Sequence, residues 1–272
     1  MQRFSASPRE MLASFLRNRG LIKELVKREV IGRYKGSYMG ILWSFFNPIL
    51  MLAVYTFVFS VVFKARWNTN SESKGEFALI LFAGLILFNI FSECITKAPG
   101  IILYNANYVK KVVFPLEILP WVSLGAALFH GAISLAVWLA VYIFTFGLPP
   151  ATALLLPTII VPFALFILGL SWTLSALGVF LRDTSQFIGI ATTAILFMSP
   201  IFYPISAIPE DYRQFLFMNP LTLIIEQGRN LLYWGITPSP YLIIGYTAGA
   251  TTIAWLGFVL FQKTRKGFAD VI

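Results

Sequence analysis

His130 is the only histidine and Cys94 the only cysteine of the chain, which excludes both a Cys/His metal cluster and an intramolecular disulfide. Acid–base catalysis by a histidine, as in a membrane-embedded acyltransferase, needs an acidic neighbour to hold and tune the ring. The stretch from Ile118 to Leu181 contains no formal charge, so His130 has no such neighbour in its own apolar run or the next. It reads instead as a neutral histidine hydrogen-bonded to a carbonyl or hydroxyl. Glu93 and Glu117 stand at the ends of apolar runs, where pairing with Lys97 or Lys111 at the interface is favoured over proton relay. A proton- or sodium-coupled carrier would show a midplane carboxylate, or broken helices placed symmetrically in two halves. Neither is visible, and no internal repeat stands out. The chain also has no G-x-x-x-x-G-K-[ST] phosphate loop, so any ATP drive must come from a partner.

The elements that would position these residues follow from composition. Of 272 residues, 58% are hydrophobic and 12% charged, with a mean hydropathy of +0.77. A soluble domain carries about twice that charged fraction, so this is an all-α integral membrane protein. A span of a ~30 Å hydrocarbon core takes about 20 apolar residues. Charge-poor intervals place six spans at about residues 39–63, 77–95, 116–146, 151–180, 186–207 and 241–261. The uncharged run from Ile118 to Leu181 is too long for one span and folds back at Gly147-Leu-Pro-Pro150. The domain plan is then a cytoplasmic amphipathic segment at 1–38, a six-helix membrane domain at 39–261 and a tail at 262–272.

Orientation follows from Lys and Arg. Nine of them precede the first span, followed on the same side by Lys97, Lys110, Lys111, Arg182, Lys263, Arg265 and Lys266. The other side holds Lys64, Arg66, Lys74, Arg213 and Arg229. Both termini are expected in the cytoplasm. The net charge of +9 is therefore a topology signal, and no folded nucleic-acid module is left over.

The segment before the first span lacks the apolar region of a signal peptide, so it is expected to stay attached. Ser7-Pro-Arg-Glu10 reads as a capping box opening an amphipathic helix. Its basic face suits anionic headgroups of the inner leaflet. Two further segments are too long for turns. Residues 97–115 are expected to form a short interfacial helix bounded by Pro99 and Pro115. Residues 208–239 have too many apolar positions for a solvated loop and too many charges for a span. They read as two short helices, broken at Asn219-Pro220, that re-enter or cap the outer half of the membrane. Gly245-x-x-x-Gly249 and Ser171-x-x-x-Ser175 permit close helix approach.

The chain contains 7 Trp, 11 Tyr and 26 Phe. Interfacial belts and packing account for most of these, but the first span alone holds Trp43, Phe45, Phe46, Tyr55, Phe57, Phe59 and Phe63. Flat aromatic faces in a charge-poor conduit suit sugar rings, whose C–H faces stack and slide on them.

Several strings taken together resemble a known family. They are KREVIGRYKGSYMGILWSFFNPILMLAVYTFVFSVVF (27–63), KKVVFPLEILP (110–120), LRD (181–183), SPIFYP (199–204) and MNPLTLIIEQGRNLLY (218–233). The sequence is similar to the membrane subunits of type-2 ATP-binding-cassette exporters, specifically the permeases that export O-antigen, capsule or teichoic acid. The resemblance implies an interface helix at about 8–34, a cytoplasmic coupling helix at about 98–112, and two extracytoplasmic gate helices at about 207–218 and 221–233. It also implies a homodimeric channel in a bacterial inner membrane, each copy bound to one ATPase subunit that carries ATP and Mg, with no cofactor on this chain. The cargo would be an undecaprenyl-linked glycan.

The residues expected to carry that function fall into four groups. Ala98, Tyr104, Tyr108, Lys110 and Lys111 would couple to the ATPase. Arg33, Lys35 and Arg182 would meet the lipid pyrophosphate. Trp43, Phe46, Tyr55, Phe59 and Tyr203 would contact the glycan along the channel, and Tyr212, Phe215 and Tyr233 would belong to the gate. The alternatives are an exporter of a small lipid or drug with the same spans, the embedded enzyme already described, and an ungated channel. The absence of a polar pore-lining span disfavours the channel.

Overall fold

Ser7 caps the first helix, α1 (Pro8–Arg17), accepting from the Glu10 amide at 3.1 Å. A computed structural model describes residues 5–64, 67, 75–109 and 114–272, and the described residues are helical with no strand. The amphipathic segment is not one helix. The Asn18 side chain donates to the Ser14 carbonyl at 2.8 Å, and its own backbone leaves the helical region (φ −102°, ψ 10°). That local bond competes with the helix ladder, and a second helix, α2 (Arg19–Tyr34), starts directly after it. Glu10 pairs with Arg17 at 2.7 Å instead of closing the capping box.

The first span consists of a 3-10 turn (Gly40–Leu42), α3 (Trp43–Tyr55) and a π-helical turn (Thr56–Val62). Pro48 lies inside α3, where it removes one ladder bond. Only 11% of the most apolar stretch of this span is buried, against 83% for the next. That next helix, α4 (Glu76–Lys97), is the axis of the molecule. After a 3-10 turn come α5 (Ile101–Tyr104) and α6 (Ala106–Val109). The expected single helix over 98–112 is broken at Asn105, whose side chain donates to the Ile101 carbonyl at 2.8 Å. Residues 110–112 of that expectation lie outside the described residues.

The expected hairpin is present: α7 (Leu119–Phe146) stops at Gly147, whose φ of +87° suits only glycine, and α8 (Pro157–Phe180) returns. Trp138 of α7 donates to the Leu79 carbonyl of α4 at 2.8 Å, and Trp172 of α8 to the Glu117 carbonyl at 3.0 Å. These bonds satisfy two buried indoles and fix helix register.

The expected fifth span does not reach residue 207. Helix α9 (Thr184–Met198) ends where Ser199 turns extended ahead of Pro200. At about 1.5 Å per residue its length is roughly 22 Å, short of a full crossing. Among the described residues five helical stretches are long and apolar enough to span, and α9 is a shorter apolar helix. The expected two short helices follow as α10 (Glu210–Phe217) and α11 (Pro220–Arg229), parted at Asn219 as the sequence suggests. A π-helical turn (Asn230–Trp234) leads to the last span, α12 (Pro240–Thr264), and to α13 (Phe268–Val271).

Close helix approach does occur, but at a different pair of glycines. A Cβ on Gly169 of α8 would strike the α12 backbone at Ile253 and Ala254, and one on Gly257 would strike Gly169 itself. Gly245 and Gly249 face open space, while Ser171 and Ser175 are buried on α8.

Candidate functional site

Helix spacing builds an ion cluster at the end of the bundle where α2 packs, here called basal. Glu29 and Arg33 are four apart on α2, and Glu93 and Lys97 four apart on α4, so each pair shares one helix face. The two rows cross-pair. Arg33 bonds Glu93, and Lys97 reaches Glu29 at 2.9 Å and Glu93 at 3.0 Å. Two cations and two carboxylates leave the cluster neutral. His130 of α7 completes it, with Nδ1 3.2 Å from Arg33 Nη1 and 3.7 Å from a Glu93 carboxylate oxygen.

That placement corrects the reading of His130 as a residue without charged neighbours. Its partners come from the amino-terminal segment and from the preceding span, outside its own apolar run and the one that follows. Above the cluster opens a cleft of about 410 Å³ between α2, α3, α4 and α7, with Asn47, Tyr55, Asn89 and Ser134 among its walls.

Glu117 makes a second basal junction. Its carboxylate accepts from Ser14 of α1 at 2.9 Å and from Arg265, beyond α12, at 2.6 Å. Arg265 also donates to the Phe114 carbonyl at 2.8 Å. Of the expected pairings of Glu93 and Glu117 with Lys97 or Lys111, Glu93 does pair with Lys97, Glu117 pairs with Arg265, and Lys111 lies outside the described residues.

The coupling candidates separate into buried and exposed members. Ala98 is packed in the core, while Tyr104 is 87% exposed. Tyr108 accepts from Arg28 of α2 at 2.8 Å and stacks on Phe114 with centroids 4.1 Å apart. Lys110 and Lys111 lie outside the described residues. Of the pyrophosphate candidates, Arg33 is held by Glu93, and Lys35 and Arg182 are exposed.

The five channel aromatics do not share one surface. Trp43 and Phe46 are exposed on α3, and Tyr55 lines the cleft. Phe59 is stacked between Phe77 at 5.4 Å and Phe202 at 5.9 Å. Tyr203 donates to the Phe197 carbonyl at 2.8 Å.

At the opposite, distal end lie the hairpin and α10–α11. Tyr212 and Phe215 are exposed on α10, whereas Tyr233 packs edge-on against Tyr142 and Phe146. The organising residue here is Arg229, which in the sequence is one of five basic residues on the expected outer side. It is 1% exposed. Its guanidinium donates to the carbonyls of Ile80 at 3.0 Å, Ile201 at 2.8 Å and Pro200, and pairs with Glu226 at 3.0 Å. Its carbon lies 4.4 Å from the centre of the Trp67 ring. Burial lowers its pKa, and Glu226 three residues earlier opposes that. The signal available in the sequence was this Glu226–Arg229 spacing on an otherwise apolar helical face. Among the described residues no His/Cys/Asp/Glu group is arranged to hold a metal.

Apolar spans around a buried axis, a basal amphipathic segment locked to it by ions and a pair of short helices at the distal end describe a multi-pass membrane protein. Residues 20–233 match the ABC-2 type transporter family, and the chain belongs to it. It is 28% identical over 254 residues to the O-antigen export system permease protein RfbA of Klebsiella pneumoniae, covering 93% of this chain and 95% of that protein. The Myxococcus xanthus protein of the same name is 27% identical, covering 93% and 96%. The polysialic acid transport protein KpsM of Escherichia coli is 25% identical, covering 90% and 93%. The protein is therefore a transport component, and ATP hydrolysis belongs to a separate subunit.

Proposed function

We propose that the chain is the permease subunit of an ATP-driven exporter that carries a lipid-linked polysaccharide, of the O-antigen type, across a bacterial inner membrane. The observation that carries this reading is the end-to-end likeness to permeases named for O-antigen export and for polysialic acid transport. Two copies would form the channel, each bound to one ATPase subunit that holds ATP and Mg. The little-buried first span, with Phe45, Ile49 and Leu50 exposed, supports a second copy there. The basal end would face the cytoplasm, in keeping with its excess of Lys and Arg.

In this reading Lys35 and Arg182, exposed and without an ion pair among the described residues, meet the pyrophosphate of an undecaprenyl carrier. Arg33 stands two residues before Lys35 at the edge of the cleft. Closure of the ATPase pushes on the exposed Tyr104 segment, and Ala98, packed in the core, passes the motion to α4 and α8. The glycan advances past first- and fifth-span aromatics, and α10 with Tyr212 and Phe215 yields at the distal end.

The test is a strain lacking this gene, fractionated for undecaprenyl-linked polysaccharide. Accumulation on the cytoplasmic side with loss from the surface, reversed by the gene, is expected. Normal surface glycan with no internal pool overturns the reading in favour of a small-lipid exporter.

A further inference from the structure

We infer that the cleft between α2, α3, α4 and α7 is a binding site for uncharged, hydroxyl-rich sugar rings, namely the first sugars of the transported glycan beyond its pyrophosphate. This rests on the glycan-export reading and adds a place and a chemistry to it.

Polarity in the wrong solvent is the starting observation. Helix α4 is buried from Phe77 to Phe91 except at Asn89, which opens onto the cleft. Asn89 lies eight residues from Lys97, about 12 Å into the membrane domain at 1.5 Å per residue. Asn47 faces the same space from α3. Neither side-chain amide has a hydrogen-bond partner among the described residues. Pro48 has no N–H to give the carbonyl of Ser44, one turn back on the cleft wall. His130 Nε2 is buried without a partner among the described residues. An unsatisfied amide in hydrocarbon costs several kcal/mol. Such groups persist inside a membrane domain where they line water or a ligand.

The character of the ligand follows from what the wall offers. Among the described residues the charges on the cleft wall are matched: Arg33 bonds Glu93, and Lys97 beside them pairs with Glu29 and Glu93. An anion would have to break the Arg33 pair, and a cation would have to displace Arg33 or Lys97. A neutral ligand with many hydroxyls meets neither obstacle. Two amides, several serines and the Glu93 oxygens supply donors and acceptors, while the Tyr34 and Tyr55 rings supply flat faces for C–H groups. A cleft of about 410 Å³ falls in the range of small-ligand sites, roughly 300–1,000 Å³. A pyrophosphate held at Lys35, just past the end of α2, would leave the adjoining sugars at the mouth of this cleft.

The test uses the permease bound to its ATPase in proteoliposomes, carrying Met51→Cys or Ser134→Cys one at a time, cleft-wall positions that leave the Asn47 and Asn89 amides in place. Each complex is first checked for glycan transport. The native Cys94 is buried, and the unsubstituted complex gives its background. The probe is a charged, water-soluble thiol reagent, added with lipid-linked glycan or with the same polyprenyl pyrophosphate bearing no sugar. The expectation is that the glycan slows labelling at both positions at least tenfold, whereas the sugarless carrier leaves the rate within about twofold. Equal protection by the sugarless carrier overturns the assignment and makes the cleft a lipid site. No protection at either position in complexes that still transport glycan overturns it as well. A wild-type complex that transports no glycan is a different failure: it removes the export reading itself, and this inference with it.

Discussion

Arg33 and Arg229 are the same side chain in two opposite settings. Arg33 closes the basal end of α2, remains partly exposed, and bonds a carboxylate that it shares with Lys97 and His130. Arg229 is sealed at the distal end, and three of its four acceptors are backbone carbonyls from α4 and the α9–α10 connection. Backbone carbonyls cannot swing away without moving their helices. Carboxylates on side chains can. The distal arginine is therefore a pin that holds α11 against the axis, and the basal arginine is part of a contact that can be remade while the helices stay in place.

Removing the pin should have the largest effect. Arg229→Met leaves the carbonyls of Pro200 and Ile201 buried and unpaired, takes the second donor from the Ile80 carbonyl, and leaves Glu226 beside them, at a cost of about 3–5 kcal/mol. Thermal unfolding of the detergent-solubilised protein should shift down by many degrees. Arg229→Lys should recover only part, because a single ammonium does not reproduce a planar fork. An unchanged melting temperature for Arg229→Met would remove one side of the comparison.

Glu117→Gln comes next, since Arg265 then loses its carboxylate in a mostly buried setting. About 2–3 kcal/mol is expected, and the loss should be local. Ser14 and Arg265 tie α1 and the end of α12 to the same carboxylate, so faster tryptic cleavage at Arg17 and Arg19 is the readout. Glu93→Gln should cost least of the three, about 1 kcal/mol or less, because Arg33 and Lys97 are more than a third exposed and water screens them. Combining it with Arg33→Met should give less than the sum of the single effects. Strict additivity would show that the basal pair is not coupled.

The apolar skeleton was legible in the sequence because a membrane span announces itself by length and lack of charge. The break at Asn219-Pro220 and the hairpin at Gly147 were legible because proline and glycine act locally. What the sequence concealed is non-local. The breaks at Asn18 and Asn105, made by bonds to carbonyls four residues back, and the early end of α9 ahead of Pro200 are local and were open to the same reading; the ion pairs were not. Glu117 finds Arg265 across 148 positions, and Glu93 finds Arg33 across 60. Helical spacing could show that Glu29/Arg33 and Glu93/Lys97 each share a face. It could not show that the two faces meet. Arg229 looked like an outer charge because orientation counts treat every basic residue alike, whatever its burial.

Tyr104 gives the smallest structural effect and so the sharpest functional one. It is 87% exposed and its ring lies over Gly100 on its own segment. Tyr104→Ala should change stability by no more than about 0.5 kcal/mol, which is one or two degrees in melting temperature for a chain of this size. Tyr108→Ala is different in kind: it removes the stacking on Phe114 and the acceptor for Arg28, so its loss of activity would mix folding with coupling. Tyr104 alone separates them. Export in proteoliposomes should fall severalfold for Tyr104→Ala while the melting curve stays in place, and restoring the ring with Tyr104→Phe should recover most of it. If export survives Tyr104→Ala, the exposed side of α5 is not where the ATPase pushes, and coupling would have to run through α2 and the remakeable contact at Arg33.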